Sequence, residues 1–275
     1  MRPQLKYKDN SGVAKESRYL SVFEGLSWNN LLIFDIETKK SKEIGIPDSG
    51  SLMKQESLIT LLPDGDLFCV GKGDEYSDSI TQGACFIIDK KCNIKQSINL
   101  NFFKKVLYAI YYDGDIYIFG SDQYWLKRIQ VKKYSLRKKR FSSMGVNANR
   151  LTFSCCDVFV NAIILTGYEE RFICIYDIFS NSFTELSLDL KAYSAKVICS
   201  RDDKAYIISV SEGIYESGLF NPYEWTLLSK TNIASCHCYG LIANYKDCCY
   251  FLHGKTYYWF NFNDKALNRV IRGLF

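Results

Sequence analysis

Histidine and proline are nearly missing from this sequence, at two and four of 275 residues. With so little imidazole, a copper or zinc centre or a Ser-His-Asp arrangement has thin raw material. No run of 18 apolar residues exists to cross a membrane, and the amino end, MRPQLKYKDN, lacks the apolar core of a signal peptide. There is no N-x-[ST] glycosylation acceptor. These absences place the chain in the cytoplasm, with the nucleus as the alternative. Nor is it low-complexity or collagen-like: 47% of residues are hydrophobic and 24% charged, the balance of a folded chain. What it has in plenty is aromatic, 20 Tyr and 18 Phe, a bias toward side chains that fit a pleated, half-buried surface.

The eleven cysteines are odd in number and too sparse for a disulfide scaffold, so reduced thiols are expected. Cys155 and Cys156, and likewise Cys248 and Cys249, are chain neighbours that face opposite sides of a sheet if they lie on strands, a poor geometry for chelating one ion. The formal charge is +5, but residues 127–140 (KRIQVKKYSLRKKR) hold eight bases and no acid, leaving −3 for the rest. A nucleic-acid footprint would spread over several elements, so this confinement argues against one.

The sequence repeats. Six segments align: LLIFDIETKKSKEI from Leu31, CFIIDKKCNIKQSI from Cys85, IQVKKYSLRKKRFSSM from Ile129, ICIYDIFSNSFTEL from Ile173, IYESGLFNPYEWTLL from Ile214 and TYYWFNFNDKALNRVI from Thr256. Each is an alternating apolar run, a polar turn and a second short run. Asp35, Asp89, Ser135, Asp177 and Asn261 close the first run, where a short polar side chain can bond its own following backbone and set a hairpin. In the fifth copy Asn221-Pro222 is expected to start a tighter turn. The anchor-to-anchor steps are 54, 46, 42, 44 and 40 residues, the period of four-stranded propeller blades.

Upstream of most anchors lies another pair of apolar strands around a turn: Asp64-Gly65 and Asp113-Gly114 signal two-residue hairpins with positive φ at both positions. Arg201 to Asp203, Lys246-Asp247 and Val160-Asn161 are weaker versions. A helical NFFKKVLYAIYY is set aside because its neighbours alternate with period two. The expectation is an all-β, six-bladed β-propeller of four-stranded antiparallel blades in a single domain, 1–275, with blades near 1–47, 48–100, 101–145, 146–190, 191–230 and 231–275. The innermost strand of blade one must come from QLKYKD, or that blade has three strands.

A second strand ending in glycine, a gap, then an aromatic-rich strand closed by Asp and followed by a fourth strand resembles the kelch repeat, over residues 17–275. Single glycines, Gly71, Gly120, Gly167 and Gly254, stand where kelch repeats carry a pair. Tyr134, Tyr176 and Trp225 match the family's inter-blade Tyr and Trp positions, and Phe183 takes the Trp position in the fourth copy. The resemblance implies a rigid platform for binding other proteins. Some propellers of this kind are enzymes, such as the copper radical oxidases.

Antiparallel order gathers the loops between second and third strands, and between blades, on one face. Asp74, Glu75, Tyr76, Asp78, Tyr124, Trp125, Tyr168, Glu169, Glu170 and Glu212 meet there, a set of acids around aromatic anchors suited to a basic or Arg-bearing protein segment. The carboxylates of residues 71–83 miss the calcium-loop spacing and are expected to be solvated. Cys236-His237-Cys238 splits its thiols and imidazole between faces if extended, and His253 precedes a glycine at a strand end, so both are expected to be structural. Arg137, Lys138, Lys139 and Arg140 fall on the outer hairpin of blade three, at the opposite rim. The reading is a non-catalytic protein-interaction platform with no metal or cofactor. The alternatives are an enzyme using the central pocket, for which no sialidase S-x-D-x-G-x-x-W box is found, and an assembly subunit docking its basic hairpin on acidic or nucleic-acid surfaces.

Overall fold

The structure is a computed structural model that describes residues 19–24, 30–38, 40–45, 55–72, 84–89, 93–100, 102–103, 105–121, 129–147, 153–167, 171–188, 196–209, 212–231, 242–253 and 256–269. The regular elements among them are all strands. The first sheet is β1 (Tyr19–Glu24), β2 (Asn30–Asp35) and β3 (Lys40–Gly45). The second is β4 (Gln55–Leu61), β5 (Leu67–Lys72), β6 (Ala84–Ile88) and β7 (Ile94–Asn99). The third is β8 (Lys105–Tyr112), β9 (Asp115–Ser121), β10 (Ile129–Ser135) and β11 (Arg140–Asn147). The fourth is β12 (Phe153–Phe159), β13 (Ala162–Gly167), β14 (Phe172–Asp177) and β15 (Ser182–Ser187). The fifth is β16 (Lys196–Arg201), β17 (Lys204–Ser209), β18 (Gly213–Gly218) and β19 (Asn221–Lys230). The sixth is β20 (Ile242–Tyr245), β21 (Cys248–His253), β22 (Thr256–Asn261) and β23 (Ala266–Arg269).

Within every sheet the strands follow chain order and pair antiparallel. The sheets pack in series, β4 on β8, β8 on β12, β12 on β16 and β16 on β20, and β1 touches both β20 and β4, so the last sheet returns to the first. This is a β-propeller. Its first blade has three strands among the described residues, and QLKYKD lies outside them.

Period-two alternation divides each inner strand between two neighbours. On β9, Ile116 and Ile118 join the layer shared with blade two, while Tyr117 and Phe119 join the layer shared with blade four. On β13, Ile163 and Leu165 face blade three, and Ala162 and Ile164 face blade five. Cys155 and Cys156 obey the same rule and enter different layers, as their spacing predicted. Burial on both faces is why runs such as AIIL and ICIY carry no polar residue. Outer strands face water, and β7 alternates residue by residue.

Polar bonds stitch neighbouring blades. The Thr60 hydroxyl donates to Ala109 O (2.7 Å), Gln96 Nε2 to the Tyr134 hydroxyl (2.7 Å) and the Tyr112 hydroxyl to Asn161 Oδ1 (3.1 Å). Ile198 N donates to Cys155 Sγ (3.2 Å), and the Ser200 hydroxyl lies 2.8 Å from Asp157 Oδ2. Arg201 Nη2 pairs with Asp247 (2.9 Å), and Lys246 closes the ring by pairing with Glu37 of blade one (3.1 Å). The kelch-matched tyrosines lie at such seams. Tyr134 and Tyr176 are fully buried, and a Cβ on Gly145 of blade three would come within 2.6 Å of Asn181 O and 3.2 Å of the Tyr176 ring. Burial drives the Tyr176 hydroxyl pKa up to about 12. Trp225 instead packs at the partly buried edge of its layer and donates Nε1 to Pro222 O (2.8 Å).

Two turns differ from expectation. Asp113-Gly114 has positive φ at both positions, 46° and 83°, as predicted. Around Asp64-Gly65 the connection runs from Leu62 to Asp66 and only Gly65 is left-handed, with Gly65 N donating to Leu62 O at 2.8 Å. Pro63 has no N–H with which to close a two-residue turn on Asp66, so Leu62 N makes that bond, and the φ of Pro63 near −65° suits the second position of the turn, with a glycine bulge after it. In blade five the hairpin reverses at Leu219-Phe220, ahead of Asn221-Pro222, while Asn221 starts the expected turn, its Oδ1 accepting from Tyr223 N (3.0 Å). Asn221 and Pro222 belong to β19, where the register jumps from Gly218↔Asn221 to Ser217↔Trp225 and leaves residues 222–224 as a bulge.

Candidate interaction surface

The hairpins joining third and fourth strands all open on one face of the ring, and three of them share one backbone solution. Tips 136–139, 178–181 and 262–265 each end in a left-handed residue, Lys139 (φ 50°), Asn181 (54°) and Lys265 (55°). The anchor before each tip bonds the amides that follow. Asp177 Oδ1 accepts from Phe179 N (2.9 Å) and Ser180 N (2.8 Å), Asn261 Oδ1 from Asn263 N (2.8 Å), and Ser135 Oγ from Lys138 N (3.4 Å). The turn is satisfied by the anchor and the left-handed residue, so it does not depend on the exposed side chains of the tip.

Blade three puts bases there. Arg137, Lys138, Lys139 and Arg140 are all exposed, and among the described residues none of them forms an ion pair. The bases lower on the same hairpin are engaged: Lys133 pairs with Asp115 (3.1 Å), and Lys132 donates to Ser143 Oγ (2.7 Å) and sits over the Phe102 ring. The aromatic pair Tyr134 and Phe141, 4.8 Å between centroids, ties the base of the hairpin to the core.

Blades four and five put apolar groups there, which the sequence reading missed. The exposed large hydrophobic side chains among the described residues are Phe179, Leu219, Phe220, Tyr223, Leu227 and Leu228, five within one ten-residue hairpin and the sixth on the adjoining tip. Phe179 is 74% exposed and Leu219 60%. Leu227 and Leu228 both face out because the register slips between Tyr215↔Leu227 and Ile214↔Ser229. A consecutive Leu-Leu in an otherwise alternating outer strand was the signal available.

Beneath this hairpin Glu216 is buried between two cations, with Lys204 Nζ at 2.6 Å and Lys265 Nζ of blade six at 2.7 Å. Burial alone would raise its pKa, but the two lysines outweigh it and hold the carboxyl below its ordinary range. Arg201 lies over the Phe262 ring beside it. This network anchors blade five to blade six.

Of the opposite-face set, Asp74, Glu75, Tyr76, Asp78, Tyr124, Trp125, Tyr168, Glu169 and Glu170 lie outside the described residues, as do Cys236, His237, Cys238 and the side chain of His253. Glu212 is described and half-buried. Its carboxylate accepts from the Ser209 hydroxyl (2.9 Å), its carbonyl accepts from Thr231 N (3.0 Å), and the Thr231 hydroxyl donates to Ser209 O (2.7 Å). It thus closes its own loop. Among the described residues no group of three His, Cys, Asp or Glu is placed to hold a metal, and no helix is long and apolar enough to cross a membrane. Burial pushes the thiols of Cys156 and Cys249 well above their usual range, which keeps them protonated.

No protein-family model matches the chain, and no curated protein matches it in sequence. Solved structures do. The chain is similar to a streptogramin B lyase structure, with a TM-score of 0.57 and 18% identity over 82% of this chain and 70% of that one. At that identity the likeness is one of fold, and it agrees with the ring of antiparallel sheets in defining a β-propeller.

Proposed function

We propose that this propeller, residues 1–275 as one kelch-like domain, is a non-catalytic platform that binds a protein partner through its rim. The observation that carries this reading is the set of hairpins that open on one face of the ring but display different chemistry, four bases in blade three and exposed apolar groups in blades four and five. A scaffold fixed by inter-blade bonds presents such tips without ordering them anew on binding, which limits the entropy lost. The acidic and aromatic loops at Asp74–Asp78, Tyr124, Trp125 and Tyr168–Glu170 supply a second contact face in this reading, with Arg or Lys on the partner opposite them. The streptogramin-acting lyase shares the fold alone, and folds of this class host many unrelated functions.

The test is co-purification from a native lysate of its source, comparing the wild-type chain with two multiple variants. One replaces Asp74, Glu75, Asp78, Glu169 and Glu170 by Ser; the other replaces the exposed apolar tips. A stoichiometric protein lost with either variant is the expected result. Turnover of a small molecule by the purified chain, with no protein retained by wild type, would refute the reading.

A further inference from the structure

We propose that the outer hairpins of blades four and five form a docking surface for a cationic amphipathic segment of a partner protein, one that carries apolar anchors beside Lys or Arg. This rests on the platform reading and names one of its contact sites.

Soluble domains scatter single apolar residues over their surfaces, and it is a contiguous group that marks an interface. Here all the exposed large hydrophobics of the described residues fall on two adjacent hairpins. The two belong to neighbouring blades, packed through β12 and β13 on β16, and open on the same face of the ring. The blade-four turn does not need its aromatic side chain. Asp177 and Asn181 set the blade-four tip whatever occupies position 179. In blade five Phe220 holds φ at 50°, a conformation that Asn or Gly fits better than a bulky aromatic.

Charge decides the partner's sign. Residues 172–188 and 213–229 contain Asp177, Glu185, Glu216 and Glu224 and no base. The exposed bases Arg171 and Lys230 stand at the strand ends away from these tips, and the bases on the neighbouring turns are paired, Arg201 with Asp247 and Asp202, Lys204 and Lys265 with Glu216. Glu224 and Asp202 stay exposed at the patch edge. An apolar patch rimmed by carboxylates repels an anionic bilayer or a nucleic acid and attracts a cationic segment whose apolar side chains cover Leu219, Phe220 and Tyr223.

A random-sequence peptide library displayed on phage and selected on the full chain tests this. Enriched peptides should combine aromatic or aliphatic residues with Lys or Arg. Their affinity should fall about tenfold or more on L219S/F220N/Y223S and about threefold on E224K, with unchanged near-UV circular dichroism. Should the triple variant fail to fold, F179S and E224K carry the same test, since both sites are exposed. Peptides that bind the triple variant as well as wild type would overturn this surface while leaving the platform reading in place, as would acidic peptides that depend on Arg137–Arg140. Failure to enrich any peptide, or loss of phosphatidylserine-vesicle binding in the triple variant, would also overturn it; the platform reading is judged separately by co-purification.

Discussion

The outer hairpins of blades three and five occupy equivalent places in the ring, yet one ends in four bases and the other in an apolar cluster beside carboxylates. Their roots differ as much as their tips. Blade three is tied inward by aromatic packing, with Tyr134 buried against Phe141 and hydrogen-bonded to Gln96 of blade two. Blade five is tied by charge, with Glu216 bridging Lys204 on its own sheet to Lys265 of blade six. A propeller needs only that each outer strand pair be held to its neighbour, and either an apolar or an ionic device does it. The tips can then diverge without disturbing the frame.

Breaking the two roots should show which holds harder. Tyr134→Ala removes a fully buried ring and leaves a cavity between blades two and three, so a loss of about 3–5 kcal/mol is expected in urea unfolding. Tyr134→Phe should lose only about 1 kcal/mol, the value of the bond from Gln96. Equal losses for the two would mean that the hydroxyl, not the ring, holds blade three.

Glu216→Gln should follow, at about 2–3 kcal/mol near neutral pH, because it leaves two lysines facing each other with no carboxylate between. The ionic root also has a pH signature that the aromatic root lacks. Glu216 has its folded pKa below the unfolded value, so its contribution is complete above the ordinary carboxylate range and is lost as pH falls through the folded value. The gap between wild type and Glu216→Gln should therefore close on acidification, while the gap for Tyr134→Ala should not. A gap that stays constant down to strongly acidic pH would show that the carboxylate does not titrate with the fold.

The parts of this structure that were legible in the sequence are those set by bonds between near neighbours. Ser135, Asp177 and Asn261 could be read as hairpin anchors because each bonds an amide two or three residues on. The basic run was legible as a run. Blade five was legible in part: Asn221 starts a turn by bonding Tyr223 N, but the hairpin reverses two residues earlier, and the bulge that follows is fixed by Ser217 and Trp225 across the sheet. Glu212 was legible as a loop acid; that its carboxylate accepts from Ser209 and its carbonyl from Thr231 was not, because Thr231 comes from beyond the next hairpin. The apolar patch was hidden for a related reason: Leu219, Phe220 and Leu227 have the pattern of core residues, and only the position of β19 at the sheet's outer edge leaves them uncovered.

The tips themselves provide the smallest and most telling contrast. Lys139 and Phe220 both hold left-handed φ, which costs an L residue roughly 1 kcal/mol or more relative to glycine. Lys139→Gly and Phe220→Gly should therefore each raise stability by about 0.5–1 kcal/mol, less the entropy that glycine returns to the unfolded chain. Asn181, already suited to that backbone, should gain nothing from the same change. If Phe220→Gly stabilises the fold while weakening capture of the cationic peptides, the aromatic at that tip is retained against the interest of folding. If it destabilises the fold, the ring is a packing residue after all, and the difference between the blade-three and blade-five tips is one of structure and not of binding.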